Sequence, residues 1–322
     1  LRKQVEDLSK KLEDKTIENQ LTKNAYMEMS ESKFWKMTLP LQNMMDKIRS
    51  FRHEEVAVNE SVAVDKHLIE KGDHVLILST ESALFYCLNI QKQLEQFGVQ
   101  CEILREEPVE YLDELYFVVC SDQWKQLPKK YIAIQVEDLC TNISFSQKYL
   151  DQLLGAIAVF DCSTMNIQYF KSHSSYGNRF YYVPADYQLL DHEETDEEMF
   201  DVLCVGCETS PRCQEWIQEV SKYWNVCFVD LSLISDSEFV EKVKQSKIVL
   251  NLHAFDASIL ETSRLYEILS YGNAILISES SVDSYEEDRL KDIVTWVKPS
   301  NYTDAISKIT YWLENDDVRK SH

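Results

Sequence analysis

The chain has 322 residues, of which 44% are hydrophobic and 11% aromatic, so it can bury the cores of about two domains with an extension. Its formal charge of −22 repels phosphate polyanions and argues against nucleic-acid binding. A membrane-spanning run of about 18 apolar residues and a secretory signal are both missing from these residues, so we expect a cytoplasmic protein.

The first predicted element is a coiled-coil helix over residues 1–30. Leu1, Val5, Leu8 and Leu12 follow each other at alternating steps of four and three, with charged residues between them. This heptad pattern is typical of helices that pair with copies of themselves. It predicts a homo-oligomer, and a single solvated helix is the alternative.

A basic connector over residues 31–65 comes next. Between residues 33 and 52 five basic side chains and only one acidic one are interleaved with apolar residues. Such a segment can rest on an anionic membrane surface, here the inner face of the cytoplasmic membrane, or dock on the protein's own first domain. The pattern leaves both interpretations open.

Apolar runs rich in β-branched and aromatic residues then alternate with helical patterns. Strands are predicted at 74–79, 99–104, 115–120, 131–136, 156–161, 179–184, 200–206, 226–231, 248–253, 274–279 and 293–297. Helices are predicted at 82–97, 146–154, 214–224, 237–245, 260–271 and 302–314. The alternation predicts an α/β protein with two Rossmann-like parallel-sheet domains facing a cleft, at residues 66–186 and 200–322, joined by the acidic linker 187–199.

The nine cysteines are an odd number and mostly lie inside apolar strands, which favours reduced core thiols over a disulfide framework. Cys204 and Cys207 form a lone C-x-x-C. No second pair or nearby histidine completes a zinc site, so a strand residue and a loop residue are favoured over a redox or metal pair.

Two places carry candidate ligand-binding groups. The strand at 200–206 ends at Gly206, and a helix begins near Arg212. A diphosphate could bind there, because a ligand can approach the glycine backbone closely and the helix N–H groups and the guanidinium attract negative charge. A plain turn with a surface arginine is the alternative. A single glycine falls short of the G-x-G-x-x-G fingerprint, so no dinucleotide cofactor is expected.

The second place follows the buried strand that ends with Asn251 and His253. Glu261, Arg264 and Glu267 lie three apart on the next helix, where a carboxylate can accept ribose hydroxyls and an arginine can neutralise a phosphate. An intrahelical salt-bridge ladder is the alternative for the three charges. His253 is either a ligand-binding or catalytic group or a structural histidine.

From residue 251 to residue 279 the chain reads NLHAFDASILETSRLYEILSYGNAILISE, which resembles the donor half of glycosyltransferases with the B-type fold. V-P-x-x-Y at 183–187, D-V-L-x-V-G at 201–206 and Y-I-x-x-Q-x-E at 131–137 are similar too. S-x-x-W-x-M-T-x-P-L at 32–41 resembles a segment that precedes the catalytic domain in bacterial surface-polysaccharide glycosyltransferases.

By this resemblance Glu267 binds the donor ribose, Arg212 and Arg264 bind the diphosphate, and Gly206 lets the diphosphate approach. The chain departs from the family in two places. Retaining members commonly carry two acids eight positions apart, whereas Glu261 and Glu267 are six apart. The glycine-rich loop after the first strand is replaced by S-T-E-S-A at 79–83.

The catalytic base is expected at a strand end of the first domain, where it can reach the acceptor hydroxyl. Glu81, Asp122, Glu137 and Asp161 meet this criterion, and we predict Glu137 first and Glu81 second. Any of these acids can equally cap a helix. Because the sequence has no D-x-D, no metal cofactor is expected. Arginines and helix N-termini are then expected to stabilise the negative charge of the leaving diphosphate in place of a metal ion.

We therefore predict a metal-independent glycosyltransferase that moves a sugar from a nucleotide-diphosphate sugar to a glycan or lipid-linked glycan acceptor in cell-surface polysaccharide synthesis. Two alternatives stay open at this point. One is a non-catalytic glycosyltransferase-like scaffold, which binds a nucleotide sugar without turnover. The other is a sugar-nucleotide epimerase, which converts a donor without any acceptor.

Overall fold

The computed structural model of the chain describes residues 69–120, 123–140, 146–173, 179–188, 198–231, 233–255, 258–272, 274–282 and 284–321. The predicted coiled coil, the whole basic connector, most of the acidic linker and Asp122 lie outside these residues, so those interpretations stay predictions. Residues 71–322 form one compact unit. In the part of the chain that is described, no helix combines the length and the apolar character needed to cross a bilayer.

The first half of this unit is built on six strands and three helices. The strands are β1 His74–Leu78, β2 Gln100–Leu104, β3 Leu115–Val119, β4 Tyr131–Gln135, β5 Ala158–Asp161 and β6 Phe180–Tyr182. The helices are α1 Leu84–Gln96, preceded by a short 3-10 turn, α2 Gln147–Gly155 and α3 Thr164–His173. All the pairings are parallel, and the strand order is β2-β1-β3-β4-β5-β6.

The second half repeats the plan with five strands. These are β7 Phe200–Val205, β8 Val226–Val229, β9 Ser246–Asn251, β10 Ile275–Glu279 and β11 Thr295–Val297. Its helices are α4 Pro211–Val220, α5 Asp236–Lys244, α6 Thr262–Tyr271, α7 Ser284–Leu290, α8 Tyr302–Glu314 and α9 Asp316–Ser321. The pairings are again parallel, in the order β11-β10-β9-β7-β8.

Each sheet has its own buried core. The central strands are near-continuous runs of Val, Ile, Leu and Phe because helices cover both faces of a parallel sheet, and β4 is buried at all five positions. In the second half Trp216 of α4 is fully buried and meets the ring of Tyr302 of α8 edge-on at 4.6 Å. The predicted two-sheet parallel architecture is confirmed.

Helix boundaries differ from the predictions where capping residues decide them. The helix predicted from residue 214 begins at Pro211, because the Ser210 side chain accepts the N–H of Cys213 and proline fits the first helical position. The helix predicted from residue 260 begins at Thr262, which makes Glu261 its N-cap instead of a helical residue. The helix α3 and the two short helices α7 and α9 were not predicted.

The strand order fixes where a ligand can bind. In both sheets the order reverses once, between β1 and β3 in the first and between β7 and β9 in the second. Ligands of open parallel sheets bind outside the carboxyl ends of the strands at such a reversal, because the flanking helices leave on opposite faces and a crevice remains.

Candidate functional site

A cavity of about 350 Å³ lies at the carboxyl ends of both sheets. On one side it is lined by the loops after β1, β4 and β5, and on the other by the loops after β7, β8 and β9 and the start of α6. It therefore includes the β7/β9 reversal of the second sheet. Its volume is in the range of small-molecule sites.

The start of α6 presents a positive region to this cavity. Thr262, Ser263 and Arg264 all line it. The Thr262 N–H donates to the Leu260 carbonyl oxygen at 2.8 Å, whereas the N–H groups that follow in the first turn of an α-helix have no partner within the helix. The N-cap Glu261 makes no side-chain bond to these N–H groups. With the Arg264 guanidinium beside them, they are suited to an anionic ligand.

Glu261 is turned away from the helix end because it pairs with His253. The two carboxylate oxygens lie 3.0 and 2.9 Å from His253 Nδ1, and His253 Nε2 lies 3.0 Å from the carbonyl oxygen of Glu279. Both ring nitrogens thus face acceptors, which requires an imidazolium that donates from each. Burial alone lowers the pKa of His253, but the Glu261 carboxylate outweighs this and raises it.

The same pairing holds Glu261 ionised. Burial would raise the pKa of Glu261, but the His253 imidazolium and then Arg264 bring it down to about 2. Asn251 completes the group: its Nδ2 donates to Glu261 at 3.2 Å and its Oδ1 accepts from Arg264 Nη1 at 3.0 Å. Asn251 and His253 are themselves fully buried and do not line the cavity, so the structure gives them a supporting position instead of contact with a ligand.

Glu267 lies one turn further along α6 and lines the cavity. Burial raises its pKa to about 7, despite the opposing hydrogen bond from the Tyr271 hydroxyl at 2.9 Å. At neutral pH a large share of Glu267 is therefore protonated and can donate as well as accept a hydrogen bond.

Arg212 is placed differently from the prediction. Both of its Nη atoms bond the carboxylate of Glu279, a fully buried side chain, and Nη1 also donates to the carbonyl oxygen of His253 at 2.8 Å. Arg212 does not line the cavity. Glu279 binds a guanidinium here because it sits at the end of β10 with no water around it, and an unpaired carboxylate there is costly.

Gly206 does line the cavity, but its missing side chain serves packing as well. A Cβ at this position would lie 3.0 Å from Cys213 Sγ and 3.3 Å from Leu252 Cβ. Close packing of α4 on the sheet therefore excludes larger residues, whether or not a ligand approaches. Nearby, Cys204 is buried in β7 and Cys207 lines the cavity as a loop residue, and all nine cysteines are free.

The first half supplies Glu137, which lines the cavity directly after β4. Burial by the surrounding walls raises its pKa, and the neighbouring Asp138 raises it further. Glu81 is placed differently from the prediction: it does not line the cavity, and its carboxylate lies 3.3 Å from Arg105 on the surface. Asp161 is fully buried and accepts from Gln135 Nε2 at 2.8 Å, which makes it part of the scaffold.

Among the acidic and amide residues that line the cavity, the sequence analysis missed Asp138, Asn166 and Asp230. Asp138 directly follows Glu137, whereas Asp230 follows β8 of the second half, where no catalytic acid was expected. Asn166 lies on α3, a helix that was not predicted. Among the described lining residues, five carboxyl groups face a single guanidinium, that of Arg264.

No protein-family model matches the chain, and the search of curated proteins finds no match. Among solved structures, sucrose-phosphate synthase from Thermosynechococcus elongatus is similar at 9% identity and a TM-score of 0.48, over 77% of this chain and 91% of that one. The apo form of the lipopolysaccharide outer core galactosyltransferase WaaB gives 10% identity and a TM-score of 0.38, over 77% and 94%.

A third similar structure is UGT89C1 from Arabidopsis thaliana complexed with UDP-L-rhamnose, at 10% identity and a TM-score of 0.31, over 78% of this chain and 92% of that one. Likenesses at this level are coarse and do not extend to individual residues. Any function for this chain has to be inferred from the cavity itself.

Proposed function

We propose that the chain is a glycosyltransferase that binds a nucleotide-diphosphate sugar in the second half of the cavity and transfers the sugar to a glycan acceptor on the Glu137 side. Cell-surface polysaccharide synthesis, with a glycan or lipid-linked glycan as acceptor, is the context we propose. The homo-oligomer and the contact with the inner face of the cytoplasmic membrane belong to the same proposal.

One observation carries the proposal: an anion-binding helix start and an acid with a raised pKa face one cavity from opposite sheets. Arg264 and the first N–H groups of α6 are suited to a diphosphate, and Glu267 one turn on can accept or donate to ribose hydroxyls. Glu137 lies across from them, on the half that a donor leaves open for the acceptor.

The carboxyl groups that line the cavity contribute less negative charge around Arg264 than their number alone indicates. The Glu261 charge is matched by the His253 imidazolium, and Glu267, whose pKa is raised to about 7, is in part protonated at neutral pH. These two carboxyl groups on the helix of Arg264 therefore cancel less of its charge than two free carboxylates would, and the Arg264 charge remains effective toward a phosphate. We propose that this arginine and the helix end act without a metal ion.

The proposed reaction is a displacement at the anomeric carbon. The Glu137 carboxylate takes the proton of an acceptor hydroxyl, the acceptor oxygen forms a bond to the anomeric carbon, and the bond to the diphosphate oxygen breaks with its electron pair. Negative charge develops on the leaving diphosphate, where Arg264 and the helix N–H groups stabilise it.

Thermal unfolding with UDP-glucose, UDP-galactose, UDP-N-acetylglucosamine, GDP-mannose, UDP and GDP tests the binding step. A ligand present at about 100 times its Kd stabilises the folded state by about 2.7 kcal/mol, or roughly 4–5 °C for a chain of this size. Release of UDP or GDP from the best binder then tests turnover.

The Arg264→Ala variant tests the site. We expect nucleotide affinity, measured by calorimetry, to fall roughly 10- to 150-fold, since a hydrogen bond to a charged group is worth about 1.5–3 kcal/mol. Arg105→Ala, at an exposed arginine, is the matched control and should leave affinity unchanged.

The outcomes separate the alternatives. Equal affinity in the Arg264→Ala variant and the wild type would show that the diphosphate site is wrong. Binding without release of UDP or GDP would favour the non-catalytic scaffold. Conversion of the sugar on an intact nucleotide would favour an epimerase.

A further inference from the structure

The loop after β4 is held by buried amide side chains of its own half. Gln135 Nε2 donates to the Glu137 carbonyl oxygen at 2.8 Å, and Gln135 Oε1 accepts from the Glu137 N–H at 2.5 Å. Asn166 Nδ2 donates to the same carbonyl at 2.9 Å, and its Oδ1 accepts from the Leu139 N–H at 3.0 Å. Because Gln135 and Asn166 are buried, these bonds fix the loop backbone firmly.

Asp138 joins this loop to the other sheet. Its Oδ2 accepts the N–H of Ile259 at 3.1 Å, a contact between residues 121 positions apart. Ile259 belongs to the loop that runs into α6, just before Glu261 and Arg264. The residue next to Glu137 therefore touches the segment that would hold the donor.

We infer that Asp138 is a positioning residue, which ties the Glu137 loop to the loop before α6 and so sets the place of Glu137 relative to the bound donor. This inference rests on the proposed function, since it concerns the reaction in the same cavity. Glu137 has to reach the acceptor proton while the acceptor oxygen lies in line with the anomeric carbon and the leaving diphosphate. A misplacement of about 1 Å in such a geometry can cost about 100-fold in rate.

Asp138 also acts on Glu137 through its charge. Burial raises the pKa of Glu137, and the Asp138 carboxylate raises it further. A neutral residue at 138 therefore lowers the pKa of Glu137, and a reaction that needs the Glu137 carboxylate extends to lower pH. Among the described residues Tyr149 also interacts with Glu137, and the titratable or charged groups that line the same cavity are Cys162 on its own half and Asp230, Glu261, Arg264 and Glu267 on the other half.

Two substitutions separate the contact from the charge. Asp138→Ala removes both, together with the bond that Asp138 Oδ1 accepts from the Cys140 N–H at 3.2 Å, whereas Asp138→Asn removes the charge but keeps one carbonyl oxygen that can accept the Ile259 N–H. Asp151→Ala, at an exposed aspartate of α2, is the control. The full chain is used throughout, with the panel member that gives the largest rise in Tm as donor. Release of UDP or GDP measures turnover, and hydrogen exchange of peptides covering 258–264 reports on the Ile259 N–H.

For Asp138→Ala we expect faster exchange at Ile259 and a fall in kcat of about 10- to 100-fold, with donor KM changed by less than about threefold. For Asp138→Asn we expect Ile259 to stay protected and kcat to stay near that of the wild type. Both variants should move the acid limb of the pH–kcat profile to lower pH, an effect that a purely structural role does not produce.

The inference is overturned if Asp138→Ala exposes the Ile259 N–H but keeps the wild-type kcat. It is also overturned if Asp138→Asn keeps Ile259 protected yet loses as much turnover as the alanine variant. A failure of the proposed function is distinguishable, because the wild-type chain would then release no UDP or GDP from any member of the panel, and both proposals would fall.

Discussion

Removing the guanidinium of Arg212 is expected to destabilise the chain without abolishing nucleotide binding. The resemblance to glycosyltransferases assigns Arg212 to the diphosphate, whereas in the structure it is bound by Glu279 outside the cavity. Arg212→Ala leaves the Glu279 carboxylate fully buried without a counter-charge. Breaking such a pair costs about 3–5 kcal/mol.

The lower end of that range applies here. After loss of Arg212, Glu279 keeps hydrogen bonds from the N–H of His253 at 3.0 Å and from Trp216 Nε1 and the Ser300 N–H, both at 3.1 Å. About 3 kcal/mol corresponds to a fall in Tm of roughly 4–6 °C for a chain of this size. The exposed pair of Arg105 and Glu81 is worth about 0–1 kcal/mol, so Arg105→Ala should shift Tm by at most about 2 °C.

Circular dichroism at 222 nm measures the melts, and calorimetry below the lowest Tm measures nucleotide affinity. Combining Arg212→Ala with Glu279→Gln should recover part of the lost stability, because the uncompensated charge is gone while an acceptor oxygen stays for the three donors. If Arg212→Ala melts like the wild type and loses nucleotide binding, Arg212 is a ligand-binding residue and its structural assignment is wrong.

Two further predictions concern Glu267 and Gly206. The pKa of Glu267 rises from 4.5 to about 7 on folding, so the folded state binds its proton more tightly and stability falls as pH rises between these values. Glu267→Gln should therefore raise Tm by an amount that grows from about pH 5 to about pH 8; a difference in Tm that stays constant over this range contradicts the prediction. Gly206→Ala should cost about 1–3 kcal/mol in urea unfolding by overpacking against Cys213. Adding Cys213→Ala should relieve part of that cost, and strictly additive losses would refute the packing explanation.

The fold was predictable because its signal is local. Each central strand is a short run such as YIAIQ or IVLN whose apolar residues must be buried on both faces, and the intervening helices bury one face each. The helices that were not predicted are short or have only a weak helical pattern of apolar residues. In α7, SYEEDRL, the fully buried Glu286 is held by Tyr182 of β6, a contact from 104 positions away.

The candidate site was predictable only in part, because its pairings are long-range. Arg264, Glu267 and Glu137 were found from their places at strand ends or on the helix that follows a strand. The capture of Arg212 by Glu279 joins residues 67 positions apart, and a pattern of residue types does not indicate which carboxylate an arginine will meet. The sequence does not show that the Glu279 side chain is fully buried, and this burial is what makes its carboxylate require a cationic partner.

The proposed anion site lies in a chain with a formal charge of −22, so the charges close to it matter more than the total. At physiological ionic strength, charges more than about 8 Å apart in water are largely screened from each other. The charged groups next to the proposed ligand position therefore affect binding more than the net charge of the chain does. Around α6 the His253 imidazolium pairs with the carboxylate of the N-cap residue Glu261, and Asn251 Oδ1 accepts a hydrogen bond from Arg264 Nη1 at 3.0 Å. Loss of the imidazolium would leave this carboxylate unmatched at the start of α6, so we expect a neutral residue at position 253 to weaken nucleotide binding in the proposed site, although His253 lies outside the cavity.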